Sequence, residues 1–144
     1  MTVDPRQPVH GDVVARRDGQ GWRGVLIRGP SGVGKSDLAL RLVAGGWRLV
    51  ADDWACIWPS DGALYASAPR TIAGRIEVRG LGVVATPCRS IARIGLVVDC
   101  THEAIERLPE PASWTWREVT VPRLHLDPRP ASAVLVVACA MDAL

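Results

Sequence analysis

The sequence predicts an α/β domain in which a mixed sheet, with two or three helices, packs around the helix that follows a glycine-rich loop. Most of the chain consists of short apolar or alternating segments of strand character, separated by turns rich in glycine, proline and aspartate. One segment instead carries its apolar residues at helical spacing, at Leu38, Ala39, Leu42 and Val43. The 144 residues, 48% of them hydrophobic, suit one domain over 1–144.

The first part of the chain is predicted to form an arm, a hairpin and the helix. Residues 1–8 are expected to be a flexible arm. The hairpin has strands over 12–17 and 22–28, because the residues between them are glycine-rich and polar, as in a turn. The helix covers 35–44 and ends at Gly45-Gly46, since glycine is the usual residue beyond a helix C-terminus.

The remainder of the chain is predicted to be mostly strands. These strands cover 47–51, 55–58, 63–67, 75–79, 91–98 and 114–121. Residues 131–143 are predicted as a terminal helix, although their valine-rich run would also suit a strand.

Composition and charge exclude several classes of function. The net charge is +2 without a polybasic tail, so nucleic-acid binding has no compositional support. The N-terminus lacks the pattern of a signal peptide, and the longest apolar run, 133–141, is too short to span a membrane. A cytoplasmic protein with no nucleic-acid or membrane partner is therefore expected. The cysteines lack zinc-ligand spacing and are expected to be small buried residues: Cys56, Cys88, Cys100 and Cys139.

A phosphate-binding motif lies between the second predicted strand and the helix. It matches the pattern G-x-x-x-x-G-K-[ST] in full, as Gly29, Pro30, Ser31, Gly32, Val33, Gly34, Lys35 and Ser36. The glycines let backbone N–H groups turn inward around phosphate oxygens, and the helix N-terminus adds a partial positive charge. Lys35 can reach the β- and γ-phosphates, and the Ser36 hydroxyl can ligate Mg²⁺. The loop therefore predicts a bound nucleoside triphosphate with a divalent metal.

The identity of the motif's cation strengthens this interpretation. Of the 17 lysines and arginines in the chain, only Lys35 is a lysine. Lysine is a compact point charge that can thread among phosphates, whereas the wide arginine fork would fit there poorly.

Carboxylates elsewhere could complete a phosphoryl-transfer site. Asp52 and Asp53 end a predicted buried strand, where a carboxylate can hold Mg²⁺ or accept a proton from an attacking hydroxyl. Glu77 lies on the charged face of an alternating strand; the pattern alone favours a solvated face over a metal ligand. His10 is uninformative by itself, and His102 and His125 are expected on the surface. Trp114 and Trp116 share a strand face and are expected to pack or to form a partner surface.

In combination, these motifs resemble the catalytic domain of the HPr kinase/phosphorylase family, over about 10–141. The resemblance is carried by His10-Gly11, the loop 29–36, Arg48-Leu49-Val50-Ala51-Asp52-Asp53 and Ile76-Glu77-Val78-Arg79-Gly80-Leu81-Gly82. The motifs follow the family's order, and the Glu-Val-Arg-Gly-Leu-Gly stretch is similar to the family's own signature. The resemblance implies a P-loop kinase domain similar to the phosphoenolpyruvate carboxykinase-like fold.

The resemblance also implies an activity and roles for single residues. The family uses ATP to phosphorylate a serine of the phosphocarrier protein HPr, and many members reverse the reaction with inorganic phosphate. Lys35 and Ser36 would hold the phosphates and Mg²⁺, and Glu77 would be the second metal ligand. One of Asp52 and Asp53 would take the serine proton. His10 would lie near the transferred phosphate, and Arg107, in Glu106-Arg107-Leu108, would be the catalytic arginine.

Four departures from the family pattern limit what the resemblance implies. The family's N-terminal domain is not found in this sequence, which resembles the short forms of α-proteobacteria. A glycine-rich segment is replaced by 86–90, and an arginine-rich segment linked to dephosphorylation is reduced to Arg129-Pro130-Ala131-Ser132, so weak reverse activity is expected. The terminal helix that helps to assemble homo-oligomers looks short. A small-molecule kinase or NTPase, or a nucleotide-sensing module without catalysis, therefore remain the alternatives.

Overall fold

The computed structural model describes residues 7–144. Within this part of the chain lie eleven strands, two α-helices and a short 3-10 helix, Arg70–Ile72. The helices are α1 (Lys35–Ala44) and α2 (Ala133–Asp142). The strands are β1 (Gln7–His10), β2 (Asp12–Asp18), β3 (Gly21–Arg28), β4 (Arg48–Ala51), β5 (Trp54–Ser60), β6 (Ala63–Ser67), β7 (Arg75–Val78), β8 (Gly82–Ala85), β9 (Ala92–Cys100), β10 (Ala112–Trp116) and β11 (Val119–Leu126).

Nine of these strands form one mixed sheet, and β7 and β8 form a separate hairpin. The long strand β9 is its centre, because it is parallel to β3 on one side and has two neighbours on the other. Near its start β9 pairs with β6 in antiparallel fashion, and near its end it pairs with β11 in parallel. The sheet continues from β3 through β2 to β4.

Both faces of the sheet are covered. Successive side chains of a strand point to opposite faces, and the central strands carry buried apolar residues at consecutive positions. Val14, Ile27 and Val98 belong to the cluster that packs against α1 and α2. Their immediate neighbours along the strands, Val13, Leu26 and Val97, belong to a second cluster on the opposite face, with residues of β5 and β6. The buried core therefore has two layers, which hold the strand ends in fixed positions.

Three chain segments that carry the predicted site meet at one edge of this sheet. Strand β2 is antiparallel to both β3 and β4, so its first residues lie beside the last residues of those two strands. Asp12 is paired with Ile27 near the end of β3, and Val13 is paired with Ala51 at the end of β4. The glycine-rich loop after β3 and the aspartates after β4 are thereby brought to the same place.

The mixed α/β fold and most of the predicted elements are confirmed. The first hairpin, the helix 35–44 and the terminal helix are present, and the strands predicted between 47 and 98 are found with ends shifted by a few residues. In the described chain, no helix is long and apolar enough to cross a membrane. The arm predicted over 1–8 lies mostly outside the described residues, and its last two residues belong to β1.

Two predictions were wrong. Residues 114–121 are not one strand, because the chain turns at Arg117 and Glu118, with φ values of 44° and 71°, and forms the hairpin of β10 and β11. The cysteines are not all buried, since Cys88 and Cys139 are exposed. Trp114 and Trp116 pack against the second core cluster. This agrees with packing, the first of the two alternatives predicted for them.

The bend between β1 and β2 requires glycine, which generates a stability prediction. A Cβ on Gly11 would lie 2.7 Å from the backbone oxygen of Ile27, whereas a Cβ on Gly19 would meet nothing within 4 Å. Gly11→Ala should therefore lower the free energy of unfolding by about 1–3 kcal/mol in urea titrations. Gly19→Ala is the matched control and should change it by less than about 0.5 kcal/mol. Equal stability of both variants would show that the contact relaxes freely.

Candidate active site

A cavity of about 550 Å³ opens at the edge of the sheet where β3 and β4 end. Its wall combines the glycine-rich loop, the start of α1 and residues from four other segments. The lining residues are Ser31, Gly32, Val33, Gly34, Lys35, Ser36, Asp37, Asp53, Glu77, Arg79, His102 and Arg129. Four of the residues singled out from the sequence for catalysis or metal binding, Lys35, Ser36, Asp53 and Glu77, therefore share one cavity.

The loop 29–36 has a backbone shape that depends on its glycines. Gly29 has φ of 149°, and a Cβ there would lie 2.9 Å from the carbonyl oxygen of Cys100. Gly34 has φ of 114° and is the N-cap of α1. The N–H groups of the first helical turn have no acceptor within the helix, so they are available to an anion in the cavity.

Lys35 is held in place by the loop itself. Its side chain is 7% exposed, and its Nζ donates to the carbonyl oxygens of Gly29 at 2.8 Å and Pro30 at 3.1 Å. An ammonium group has three N–H donors, so one remains for a phosphate oxygen. The lysine therefore braces the loop and also lines the cavity.

Asp52 lies beneath the cavity and joins three elements. One carboxylate oxygen accepts a hydrogen bond from Ser36 Oγ at the start of α1, at 2.7 Å. The other accepts the backbone N–H of Glu77 in β7, at 3.0 Å. Asp52 is buried, so these contacts replace water for the charged group. Asp52 thus positions two of the predicted metal ligands but does not line the cavity.

Asp53 differs from its neighbour in exposure and conformation. Its side chain is 62% exposed and lines the cavity, and its backbone is left-handed with φ of 68°. Oδ1 of this residue lies 2.8 Å from Nε2 of His10. His10 therefore reaches the site through Asp53, although it is not one of the lining residues.

Asp12 is a buried carboxylate that the sequence did not reveal. Its side chain is fully buried, and its Oδ1 accepts the backbone N–H of Asp53 at 2.6 Å. Its Oδ2 has no hydrogen-bond partner. Burial raises the pKa of Asp12 to about 7. The hydrogen bond from the Asp53 N–H lowers this pKa, whereas the nearby charge of Asp52 raises it further. Asp12 therefore titrates near neutral pH.

Two further lining residues, His102 and Arg129, were missed as site residues in the sequence. His102 is exposed, as predicted, but its Nε2 lies 2.9 Å from the carbonyl oxygen of Val33, so this nitrogen carries the proton. Arg129 is bound to Asp127, and this contact lowers the pKa of the Asp127 carboxyl to about 2. His102 follows β9, as Asp53 follows β4, and that shared position after a buried strand was the available signal.

The predicted catalytic arginine is not brought to the cavity. Arg107 lies in the segment between β9 and β10, is exposed, and is not among the lining residues. The guanidinium groups that line the cavity belong instead to Arg79 and Arg129. Arg41 of α1 holds the segment that carries Arg129, because it donates to the carbonyl oxygens of Pro128 and Pro130.

The fold and the site define a class of protein. It is an α/β domain in which a glycine-rich loop and the helix after it form one wall of a cavity lined by both acidic and basic side chains. The family model described as the HPr Serine kinase C-terminal domain matches residues 3–142. The chain belongs to this family.

Individual relatives agree with this membership. The HPr kinase/phosphorylase of Geobacillus kaustophilus is 40% identical over 153 residues, which cover 96% of this chain and 48% of the relative. That of Geobacillus sp. (strain WCH70) is 48% identical over 103 residues, 66% of this chain. The chain thus spans about half the length, or less, of the curated relatives it matches.

A solved structure has the same fold. The Hpr(Ser) kinase/phosphatase from Coxiella burnetii matches with a TM-score of 0.80 and covers 95% of both chains. The two sequences are 21% identical, so this likeness supports the fold alone.

The raised pKa of Asp12 predicts an unusual pH dependence of stability. A carboxyl group with a higher pKa in the folded chain binds its proton more tightly there, so the free energy of unfolding falls as pH rises from about 4 to about 7. Asp12→Asn removes this effect. Between about pH 5 and about pH 8, the free energy of unfolding of this variant should fall less than that of the wild type, by on the order of 2 kcal/mol. Urea titrations at both pH values measure this difference.

The control for this comparison is Asp61→Asn, which changes an exposed aspartate in the turn between β5 and β6. It should follow the wild-type pH dependence. Identical pH profiles for the wild type and Asp12→Asn would contradict the assigned pKa.

Proposed function

We propose that this chain is an ATP-dependent protein-serine kinase that phosphorylates an HPr-type phosphocarrier protein in the cytoplasm. The observation that carries the proposal is the sharing of one cavity by Asp53, the glycine-rich loop and Lys35, in a chain that belongs to the HPr kinase family. The loop supplies a phosphate cradle, and the carboxylate supplies a proton acceptor beside it. A pure nucleotide sensor would need only the first.

The triphosphate of ATP would lie against the loop 29–36. The first residues of α1, including Lys35, line the cavity, so their N–H groups and the remaining donor of Lys35 would bind the phosphate oxygens. Arg79 and Arg129, the lining arginines, would counter the charge that spreads over the transferred phosphoryl group. This role replaces the one expected for Arg107.

Mg²⁺ fits the oxygen donors of this site. In the part of the chain that the structure describes, no group of three or more His, Cys, Asp or Glu side chains is arranged to hold a metal ion. Mg²⁺ does not need such a group, because it is usually bound through one or two protein ligands, with water and phosphate oxygens completing its shell. The Ser36 hydroxyl and the Glu77 carboxylate are the proposed ligands. The bound ion would neutralise charge on the phosphates.

Asp53 is the proposed proton acceptor, rather than Asp52. Both oxygens of Asp52 are engaged, with Ser36 and with the Glu77 N–H, and its side chain lies beneath the cavity. Asp53 is exposed to the cavity and has its second oxygen available. As the serine oxygen bonds to the γ-phosphorus and the bond to ADP breaks, the hydroxyl proton would pass to Asp53.

His10 would tune this acceptor. Its Nε2 lies 2.8 Å from Asp53 Oδ1 and fixes the orientation of the carboxylate, which leaves Oδ2 to receive the proton. In the reverse direction the protonated Asp53 would return its proton to the leaving serine. We propose that this reverse reaction with inorganic phosphate is weak, because the arginine-rich segment that the family resemblance links to dephosphorylation is reduced here to Arg129-Pro130-Ala131-Ser132.

Phosphate transfer to HPr tests the proposed function directly. The purified protein is incubated with radiolabelled ATP, Mg²⁺ and HPr from the same genome, and phosphoserine is identified by mass spectrometry. HPr with its acceptor serine changed to alanine is the control and should remain unlabelled. ATP binding without transfer to HPr would overturn the kinase proposal in favour of a nucleotide-sensing module, and transfer to a small molecule would favour a metabolite kinase.

Substitution of Asp53 and substitution of Asp52 should have different effects on catalysis and on ATP binding. Asp53→Asn should lower kcat by a factor of about 10²–10⁴, because the proton acceptor is lost, while the Kd for ATP changes little. Asp52→Asn should instead weaken Mg²⁺-ATP binding, since Ser36 and Glu77 lose their shared anchor. Single-turnover transfer and calorimetric binding distinguish these effects. Full kcat in Asp53→Asn would refute its role as proton acceptor.

A further inference from the structure

Three consecutive residues hold Asp53 from three sides. His10 Nε2 contacts the Asp53 side chain at 2.8 Å, and the backbone N–H of Gly11 donates to the Asp53 carbonyl oxygen at 2.8 Å. Asp12 Oδ1 accepts the Asp53 backbone N–H at 2.6 Å. The side chain, carbonyl and amide of one residue are thus all bound by the segment where β1 passes into β2.

The contact from Asp12 matters because of the backbone conformation of Asp53. A left-handed conformation costs a residue with a side chain about 1 kcal/mol or more, so surrounding contacts must maintain it. Here the φ of 68° turns Asp53 away from the path of β4 and into the cavity, while Asp52 points beneath it. If the amide lost its acceptor, the peptide between the two aspartates could rotate, and both carboxylates would move.

Asp12 is itself firmly placed. It is the first residue of β2, is paired with Ile27 of β3, and is fully buried. It does not line the cavity, so it would not touch ATP or the acceptor protein. A buried carboxylate is costly unless specific contacts require it. The hydrogen bond that Oδ1 of Asp12 accepts comes from the Asp53 amide, and the carboxyl group also interacts with Ser36 and Asp52.

We propose that Asp12 is a positioning residue for phosphoryl transfer: it fixes the left-handed backbone of Asp53 and thereby aims the Asp53 carboxylate into the cavity. This inference rests on the proposed kinase function. It requires an acceptor oxygen at position 12 but not a negative charge, since Oδ2 of Asp12 has no partner. Asparagine can supply the same oxygen, whereas valine, of similar size and suited to a strand, cannot.

The test compares Asp12→Asn and Asp12→Val in the whole chain. Asp12→Val should lower kcat for transfer to HPr by about 10–100-fold with the Kd for ATP changed less than about threefold, because geometry is lost and binding is not. Asp12→Asn should restore kcat to near that of the wild type. Asp18→Val is the matched control, because Asp18 ends the same strand and is paired with Arg23, away from the cavity. It should lower the melting temperature without lowering kcat.

A double mutant shows whether Asp12 acts through Asp53. In an Asp53→Asn background, Asp12→Val should cause little further loss of the residual kcat. Independent, multiplicative losses would overturn the inference, as would an unchanged kcat in Asp12→Val alone. If valine prevents folding, Asp12→Ser, whose hydroxyl is one bond too short to reach the amide, takes its place.

Amide hydrogen exchange gives a readout that does not depend on kinase activity. The Asp53 N–H should exchange slowly in the wild type and in Asp12→Asn, and at least tenfold faster in Asp12→Ser. Rapid exchange in the wild type would overturn the positioning role even if HPr is phosphorylated. Slow exchange in a wild type that transfers no phosphate would instead retain the contact and reject the kinase proposal.

Discussion

The site depends above all on the carboxylate of Asp52, which joins the end of one strand to the start of a helix and to a separate hairpin. Its two oxygens accept from Ser36 Oγ and from the Glu77 N–H. These partners lie in α1 and β7, which pack together through a shared core that includes Leu38 and Ile76. A buried charge that satisfies two elements at once fixes their separation, because leaving either donor or acceptor unpaired in the interior is costly.

The rest of the cavity is assembled on this bridge and on the two-layer sheet. The parallel pair of β3 and β9 places the glycine-rich loop beside the segment that follows β9, where His102 contacts Val33. Arg41 holds the segment that carries Arg129 in a similar way, because it donates to the carbonyl oxygens of the residues before and after Arg129. The cavity is therefore built from fixed ends of core elements and from loops that are tied to them by hydrogen bonds.

The sequence predicted the parts of this arrangement that are encoded locally. The glycine-rich motif and the periodicity of 35–44 identified the loop and helix, because each depends on residues close together in the chain. The turn at Arg117 and Glu118 was missed, since neither is a typical residue for a left-handed conformation. The long strand predicted there is instead divided by this turn into β10 and β11, which pair with each other.

The different roles of Asp52 and Asp53 could not be predicted for a related reason. The two residues are identical and adjacent, and they differ only in backbone conformation and in partners far away in the chain. Asp12 was overlooked because its contact with Asp53 spans 41 positions and leaves no periodic signal. Arg107 was placed in the site by resemblance alone, whereas the arginines at the cavity are determined by where β7 and the segment before α2 pack.

The contacts of Lys35 have a consequence for the proposed binding of a nucleotide. Because the ammonium group binds the carbonyl oxygens of Gly29 and Pro30, contacts within the chain hold the backbone of the loop in place. An incoming triphosphate would find a cradle that is already formed, and little conformational entropy would be lost on association. Affinity would then depend mainly on how well the backbone N–H groups replace the water molecules bound to the phosphates. The loop itself should change little in conformation when a nucleotide binds.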